Sequence, residues 1–141
     1  MNETEKFEGF KRSLIDENER KYGKEIREKY GQKTVEDSNA KLMSLTQEQY
    51  AEGERLRAEC DETIRRAFET DGPSSEMAQK ACDLHRQWLC YYNPNYSKEY
   101  HRNLGEMYVA DERFRAYYDN IAEGCAEFLR DALQIYCLEQ E

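Results

Sequence analysis

Cys82 and His85 stand three residues apart, a spacing that puts a thiol and an imidazole on one helix face within reach of a single metal ion. A structural zinc site needs two further ligands, and no second close pair exists. The other histidine, His101, and Cys90 lie in separate segments, and nothing in their spacing brings them together. A Cys–His pair also suits nucleophilic catalysis, through Cys82/His85 or Cys90/His101. Neither cysteine occupies a loop or helix start that would lower its pKa, so the plain reading is ordinary thiols beside a partly buried histidine. With 30 carboxylates no acid pair stands out, and no glycine-rich phosphate loop is present. The chain is therefore expected to be no enzyme, with no catalytic residue, no metal ligand and no cofactor.

The aromatic residues carry more information. Eight of the eleven tyrosines fall between Tyr91 and Tyr136, with Trp88, Phe114 and Phe128 among them. Such side chains combine large apolar area with a polar handle, which suits a pocket for a flat heteroaromatic ligand and equally suits a lean core that must fill volume. Tyr91, Tyr92, Tyr96 and Tyr100 flank Asn93-Pro94. A helix break of that kind opens a crevice mouth, and four tyrosines exceed what a turn requires.

The elements that position these residues read as helices nearly throughout, with two prolines and few β-branched runs in the chain. Lys11 to Tyr30 carries Leu14, Asn18, Tyr22, Ile26 and Tyr30 at i+4 spacing, a narrow stripe weakened by Gly23 and ended by Gly31. Thr34 can cap a short helix to about Met43. Thr46-Gln47-Glu48-Gln49 is a capping box opening a helix to about Glu69, with Tyr50, Leu56, Ile64, Ala67 and Phe68 inward. After the loop Asp71–Ser75, a serine-capped helix over 76–92 buries Met77, Ala81, Leu84, Trp88 and Tyr92. Ser97 caps a helix from Lys98 to about Ala110, and Asp111 caps another around Arg113–Tyr118. A last helix from about Ile121 to Leu138 aligns Cys125, Phe128, Ala132 and Ile135. The fold class is all-α.

Composition sets limits on function. The chain has 141 residues, 30 acidic against 21 basic, for a net charge of −9, which argues against holding nucleic acid. No apolar run is long enough for a membrane span, the N-terminus is no signal peptide, and five cysteines without CxxC pairing suit a reducing, cytoplasmic setting. The sequons at Asn2 and Asn95 are then chance matches. Thirteen of the first 45 residues are apolar against 41 of the remaining 96. The organisation expected is a helical segment 1–45, marginal without something to pack on, and a helical core 46–141 of the same domain.

Phe7-Glu8-Gly9-Phe10, the block from His101 to Phe114 (HRNLGEMYVADERF) and Glu127–Ala132 (EFLRDA) resemble the TipAS antibiotic-recognition domain. This is the C-terminal effector domain of MerR-type thiopeptide-responsive regulators. The resemblance spans 7–135, and the fourteen-residue block is its specific part. It implies a globin-like helical fold with a deep cleft for thiopeptides such as thiostrepton or other bulky drugs, closed by N-terminal helices that are loose without ligand. Segment 1–45 would then be a mobile lid whose missing packing partner is the drug. The expected function is non-catalytic antibiotic binding, as the effector of a regulator or as a stand-alone sequestering domain. No counterpart of the winged helix or coiled coil of full regulators is expected in these residues. The alternative is a protein-interaction module that docks a partner through the N-terminal amphipathic helices.

The residues expected to line the cleft are Trp88, Tyr92, Tyr96, His101, Met107 and Tyr108, with Phe10, Tyr22 and Ile26 from the lid. Trp88, Met107 and Tyr108 fit a core role equally well, and Gly105 is expected to permit close helix packing. In the family a cysteine can add to a dehydroalanine of the drug. Aligning on Glu99-Tyr100-His101 puts Tyr96 near that position, and a phenol with a pKa of about 10 is a poor nucleophile at neutral pH. The resemblance therefore implies reversible binding here.

Overall fold

The computed structural model describes residues 2–139. Among them are seven helices: α1 (Glu3–Tyr30), α2 (Gln32–Ser44), α3 (Gln47–Thr70), α4 (Glu76–Tyr92), α5 (Lys98–Ala110), α6 (Glu112–Asp119) and α7 (Cys125–Glu139). No strand occurs among the described residues, so the all-α expectation holds. No helix among them is long and apolar enough to cross a membrane.

The caps explain most boundaries. Thr46 and Gln49 bond reciprocally as a capping box: the Gln49 N–H donates to Thr46 Oγ1 at 3.1 Å and the Thr46 N–H to Gln49 Oε1 at 2.9 Å. Ser75, Ser97 and Asp111 accept from the first turns of α4, α5 and α6. Three boundaries differ from expectation. α1 begins eight residues earlier than Lys11, because Asn2 caps it by accepting from the Glu5 N–H at 2.8 Å. α2 starts at Gln32, directly after Gly31, whose φ of +90° ends α1 in a conformation that L side chains rarely adopt; Thr34 lies inside the helix. α7 starts at Cys125 rather than Ile121, beyond a turn. Met77 is a further correction: it is exposed, and Ala78 takes the inward place in the first turn of α4.

The chain divides into two units, each described on its own. The first holds the chain through Gly53 together with Leu89–Asn95. Here α1 packs on α2, and the buried apolar side chains are few: Val35, Leu42, Leu45 and Leu89. Lys11 compensates. It is 1% exposed, and its ammonium donates to the carbonyls of Met43 at 2.7 Å and Leu45 at 2.8 Å, pairs with Glu8 at 2.9 Å and lies 4.6 Å from the Phe7 ring centre. One cation thus satisfies carbonyls at the α2 C-terminus that have no partner inside the helix.

The second unit holds Glu54–Trp88 and the chain from Tyr96 onward. Its core is richer: Leu56, Cys60, Ile64 and Ala67 of α3, Ala78, Ala81, Cys82 and Leu84 of α4, Leu104 of α5, and Leu129, Ala132 and Leu133 of α7. α5 packs closely on α7 at Gly105, where an added Cβ would stand 3.3 Å from Arg130 Cα and 3.2 Å from Leu133 Cδ1, as expected for that glycine. The abundant charges spread over helix surfaces as i,i+3 and i,i+4 pairs such as Arg65 with Glu62 and Glu69.

Candidate functional site

The two histidines meet inside the second unit. α4 turns His85 to the same side as Ala78, Ala81 and Cys82, and the first turn of α5 turns His101 inward ahead of Leu104. Both imidazoles are fully buried, nearly parallel, with His85 Nδ1 2.8 Å from His101 Nε2. The outer nitrogens are engaged too. His101 Nδ1 lies 2.8 Å from the Tyr96 hydroxyl, and His85 Nε2 lies 3.3 Å from the Tyr118 and 3.4 Å from the Tyr108 hydroxyl. Burial holds both rings neutral. It lowers His101 to about 3, helped by the charge of Arg86, and takes His85 well below the ordinary histidine range, helped by His101 and Arg57.

Arg57 of α3 closes the far end. Its Nη2 donates to the Tyr118 hydroxyl at 3.1 Å and its Nε to the Tyr117 hydroxyl at 3.0 Å, while Tyr117 donates to Asp61 Oδ2 at 2.5 Å. The guanidinium lies 4.4 Å from the Trp88 ring centre and 4.5 Å from that of Tyr117, so the cation sits between aromatic faces. Arg57 Nη1 and Asp61 Oδ1 are buried and have no hydrogen-bond partner among the described residues. Burial pushes the Tyr118 phenol up to about 12 and Tyr108 well above its ordinary value.

The first unit carries a separate aromatic group. Phe7, Phe10 and Tyr50 pack with ring centres 5.5–6.3 Å apart, and Phe10 remains 45% exposed. Tyr91 and Tyr92 lie beside Gly53, where an added Cβ would come 2.8 Å from the Tyr92 hydroxyl. Tyr22 and Ile26 are half-buried on α1.

Of the residues expected from sequence, the second unit therefore joins Trp88, Tyr96, His101 and Tyr108 in one network, with Met107 half-buried on the same helix as His101 and Tyr108. His101 and Tyr108 are buried, whereas Tyr96 and Trp88 are half-buried. Phe10, Tyr22, Ile26 and Tyr92 belong to the first unit. Sequence reasoning missed His85 as the partner of His101, and missed Arg57 and Tyr118 altogether. Sixteen residues separate the histidines, a distance no local pattern spans. Arg57 sits beside Leu56 in a helix rich in surface arginines, and only its i+4 spacing to Asp61 hinted at a fixed position.

The thiols take no comparable part. All five cysteines are free, and four are buried. Burial pushes Cys60 up to about 12 and Cys125 up to about 11, and raises Cys82 and Cys137. Cys60 donates to the Ala81 carbonyl, and Cys82 makes no pair with His85, whose nitrogens are spent on His101 and on tyrosines. Among the described residues no group of three or more metal-ligating side chains is assembled.

A helical unit built around a tyrosine–histidine network can be compared with known proteins. The family model of the TipAS antibiotic-recognition domain matches residues 22–136. The chain belongs to the TipAS family. The HTH-type transcriptional activator mta of Bacillus subtilis is 32% identical over 143 residues, covering 100% of this chain and 54% of that protein. The HTH-type transcriptional activator TipA of Streptomyces coelicolor is 36% identical over 117 residues, covering 79% of this chain and 45% of that protein. The chain thus spans about half the length of these curated relatives. The solved structure of TipAS from Streptomyces lividans in complex with nosiheptide, from a thiopeptide antibiotic multidrug resistance system, matches with a TM-score of 0.68 at 32% identity, over 86% of this chain and 87% of that one. A TipAS-type helical domain is thus established by both sequence and fold.

Proposed function

We propose that this chain is a non-catalytic binding domain for thiopeptide-like or other bulky antibiotics, acting in the cytoplasm as the ligand-sensing part of an HTH-type regulator or by sequestering the drug. The observation that carries this reading is the fold-wide similarity to TipAS bound to nosiheptide, over 86% of the chain. The chemistry of the site agrees with it. Neutral imidazoles and protonated phenols donate and accept hydrogen bonds, as recognition requires, and the buried thiols are held in the un-ionised, unreactive form.

The ligand contacts proposed are Trp88, Tyr96 and Met107 in the second unit, with His101 and Tyr108 behind them, and Phe10, Tyr22, Ile26 and Tyr92 in the first. Residues 1–45, poor in buried apolar side chains, are proposed to gain order on binding. Binding is proposed to be reversible, because the alignment puts Tyr96, a phenol, near the position at which the family can carry a reactive cysteine. The test is a titration with nosiheptide followed by Trp88 fluorescence, the sole tryptophan, and by far-ultraviolet circular dichroism. Saturable quenching with a gain in helix is expected, and the intact mass after denaturation stays that of the protein. No response to nosiheptide or to a panel of other thiopeptides would overturn the reading.

A further inference from the structure

We propose that the ring of Tyr117 is a fixed platform in the second unit on which a flat heteroaromatic ring of the ligand stacks, with Arg57 and Asp61 as the positioning residues that hold it. This deepens the antibiotic-binding reading above and rests on it for the identity of the whole ligand.

Among the described residues the large apolar side chains that remain exposed are Phe10, Met77, Tyr117 and Leu138. Tyr117 is the aromatic one of the second unit, with 43% of its surface open. An exposed side chain on a helix ordinarily exchanges between rotamers within nanoseconds. Tyr117 is instead pinned. Its hydroxyl donates to Asp61 Oδ2 at 2.5 Å and accepts from Arg57 Nε at 3.0 Å. The guanidinium lies over the ring, 4.5 Å from its centre, and the Tyr118 ring meets it edge to face with centres 5.0 Å apart. The polar tip and one face are thus engaged, and the exposed area belongs to the rest of the ring.

Stability does not account for the group that does the pinning. The Arg57 side chain is 15% exposed, and its ion pair with Asp61 is 3.5 Å long. Arg57 Nη1 and Asp61 Oδ1 are both buried without a hydrogen-bond partner among the described residues. A buried charge pair left in that state costs more in desolvation than a neutral side chain of similar volume would. What the pair supplies is geometry. A planar guanidinium can stack on aromatic faces while its edge grips hydroxyls, and here the edge holds Tyr117 and Tyr118. Trp88, whose ring centre is 4.4 Å away, and Tyr117 become successive layers with the cation between them. A ligand ring laid on Tyr117 adds one more layer to that stack.

The geometry also defines the class of ligand group. Stacking requires a flat ring with a π-face and reads no hydrogen-bond pattern, so differing heteroaromatic rings are accepted and saturated groups are not. Because folding has already fixed the Tyr117 rotamer, no further ordering of that side chain opposes binding.

The test uses the full chain with two probes, nosiheptide in calorimetric titrations and 2-phenylthiazole, a flat neutral fragment, in NMR titrations read at the Tyr117 ring protons. Tyr117→Leu removes the π-face from an exposed position and is expected to weaken nosiheptide by roughly two- to tenfold, the scale of one aromatic pair. Unchanged affinity in that variant, folded by circular dichroism, would overturn the platform. Asp61→Ala leaves the ring but frees it, and a smaller loss is expected. Since Asp61 acts through Tyr117, the double variant is expected to bind as Tyr117→Leu does, and additive losses would overturn the positioning role. The fragment is expected to shift the Tyr117 ring signals saturably in the native protein, whereas cyclohexanol leaves them in place. If the native protein binds neither nosiheptide nor any other thiopeptide, the antibiotic reading fails and the fragment decides the platform alone: a saturable shift at Tyr117 supports it, and no shift, or an equal shift with cyclohexanol, overturns it.

Discussion

Acidification should unfold the second unit through its two histidines before any carboxylate is involved. Both imidazoles are buried neutral, His101 lowered to about 3 and His85 well below the ordinary value. In the unfolded chain each returns to about 6.5. A folded pKa below the unfolded one means that the unfolded state binds more protons as pH falls through 6.5, so stability is full above that value and declines below it. At pH 5 His101 withdraws about 2 kcal/mol relative to pH 7.5, and His85, lowered in the same direction, adds to that loss. That is a large share of the roughly 5–15 kcal/mol available to a domain. The strongly lowered carboxylates, Glu62 and Asp111, both at about 2, lose their contribution only as pH falls below about 4.5, outside this window. The assay is urea unfolding at fixed ionic strength from pH 7.5 to 5, read by Trp88 fluorescence, which reports on the second unit. Replacing both residues, as His85→Gln with His101→Gln, should flatten the profile. A native stability constant to within about 1 kcal/mol across that range would refute the reasoning, since it would mean that the imidazoles are not held neutral by folding.

Other outcomes follow from single contacts. Lys11→Met keeps the stem but abandons the Met43 and Leu45 carbonyls, at an expected cost of about 2–3 kcal/mol, visible as roughly 30- to 150-fold faster amide exchange in α2. Gly105→Ala should cost about 1–3 kcal/mol in urea unfolding, because the new methyl meets the α7 backbone at Arg130 and the α5–α7 contact must open. Thr46→Ala should cost about 1 kcal/mol by removing half of the capping box, and Thr46→Ser should recover most of it. Under native conditions a maleimide should label Cys90 quickly, and the four buried thiols only after denaturant is added, as counted by intact mass.

Secondary structure was legible wherever the signal was local. The capping box at Thr46, the caps at Ser97 and Asp111 and the loop at Asp71–Ser75 all stand as read, because a cap is an interaction over three residues. Errors fell where two local readings competed. Asn2, read only as a chance sequon, caps α1, and Met77 could face either way in the first turn of α4, where the smaller Ala78 suits the buried place. The lean apolar content of residues 1–45 was also visible in the sequence, but not that one buried lysine ties α1 to the end of α2, since Lys11 looks like any other lysine in a charged helix.

The sequence alone determined the helical class and the family, because periodicity, caps and a fourteen-residue block are encoded along the chain. Only the tertiary structure decided what the histidines do. Cys82 and His85 share a helix face but no chemistry, while His85 and His101, on different helices, share a hydrogen bond in the buried interior. Side-chain function in this domain depends on desolvation and on which donor faces which acceptor, and neither is a property of neighbours in sequence.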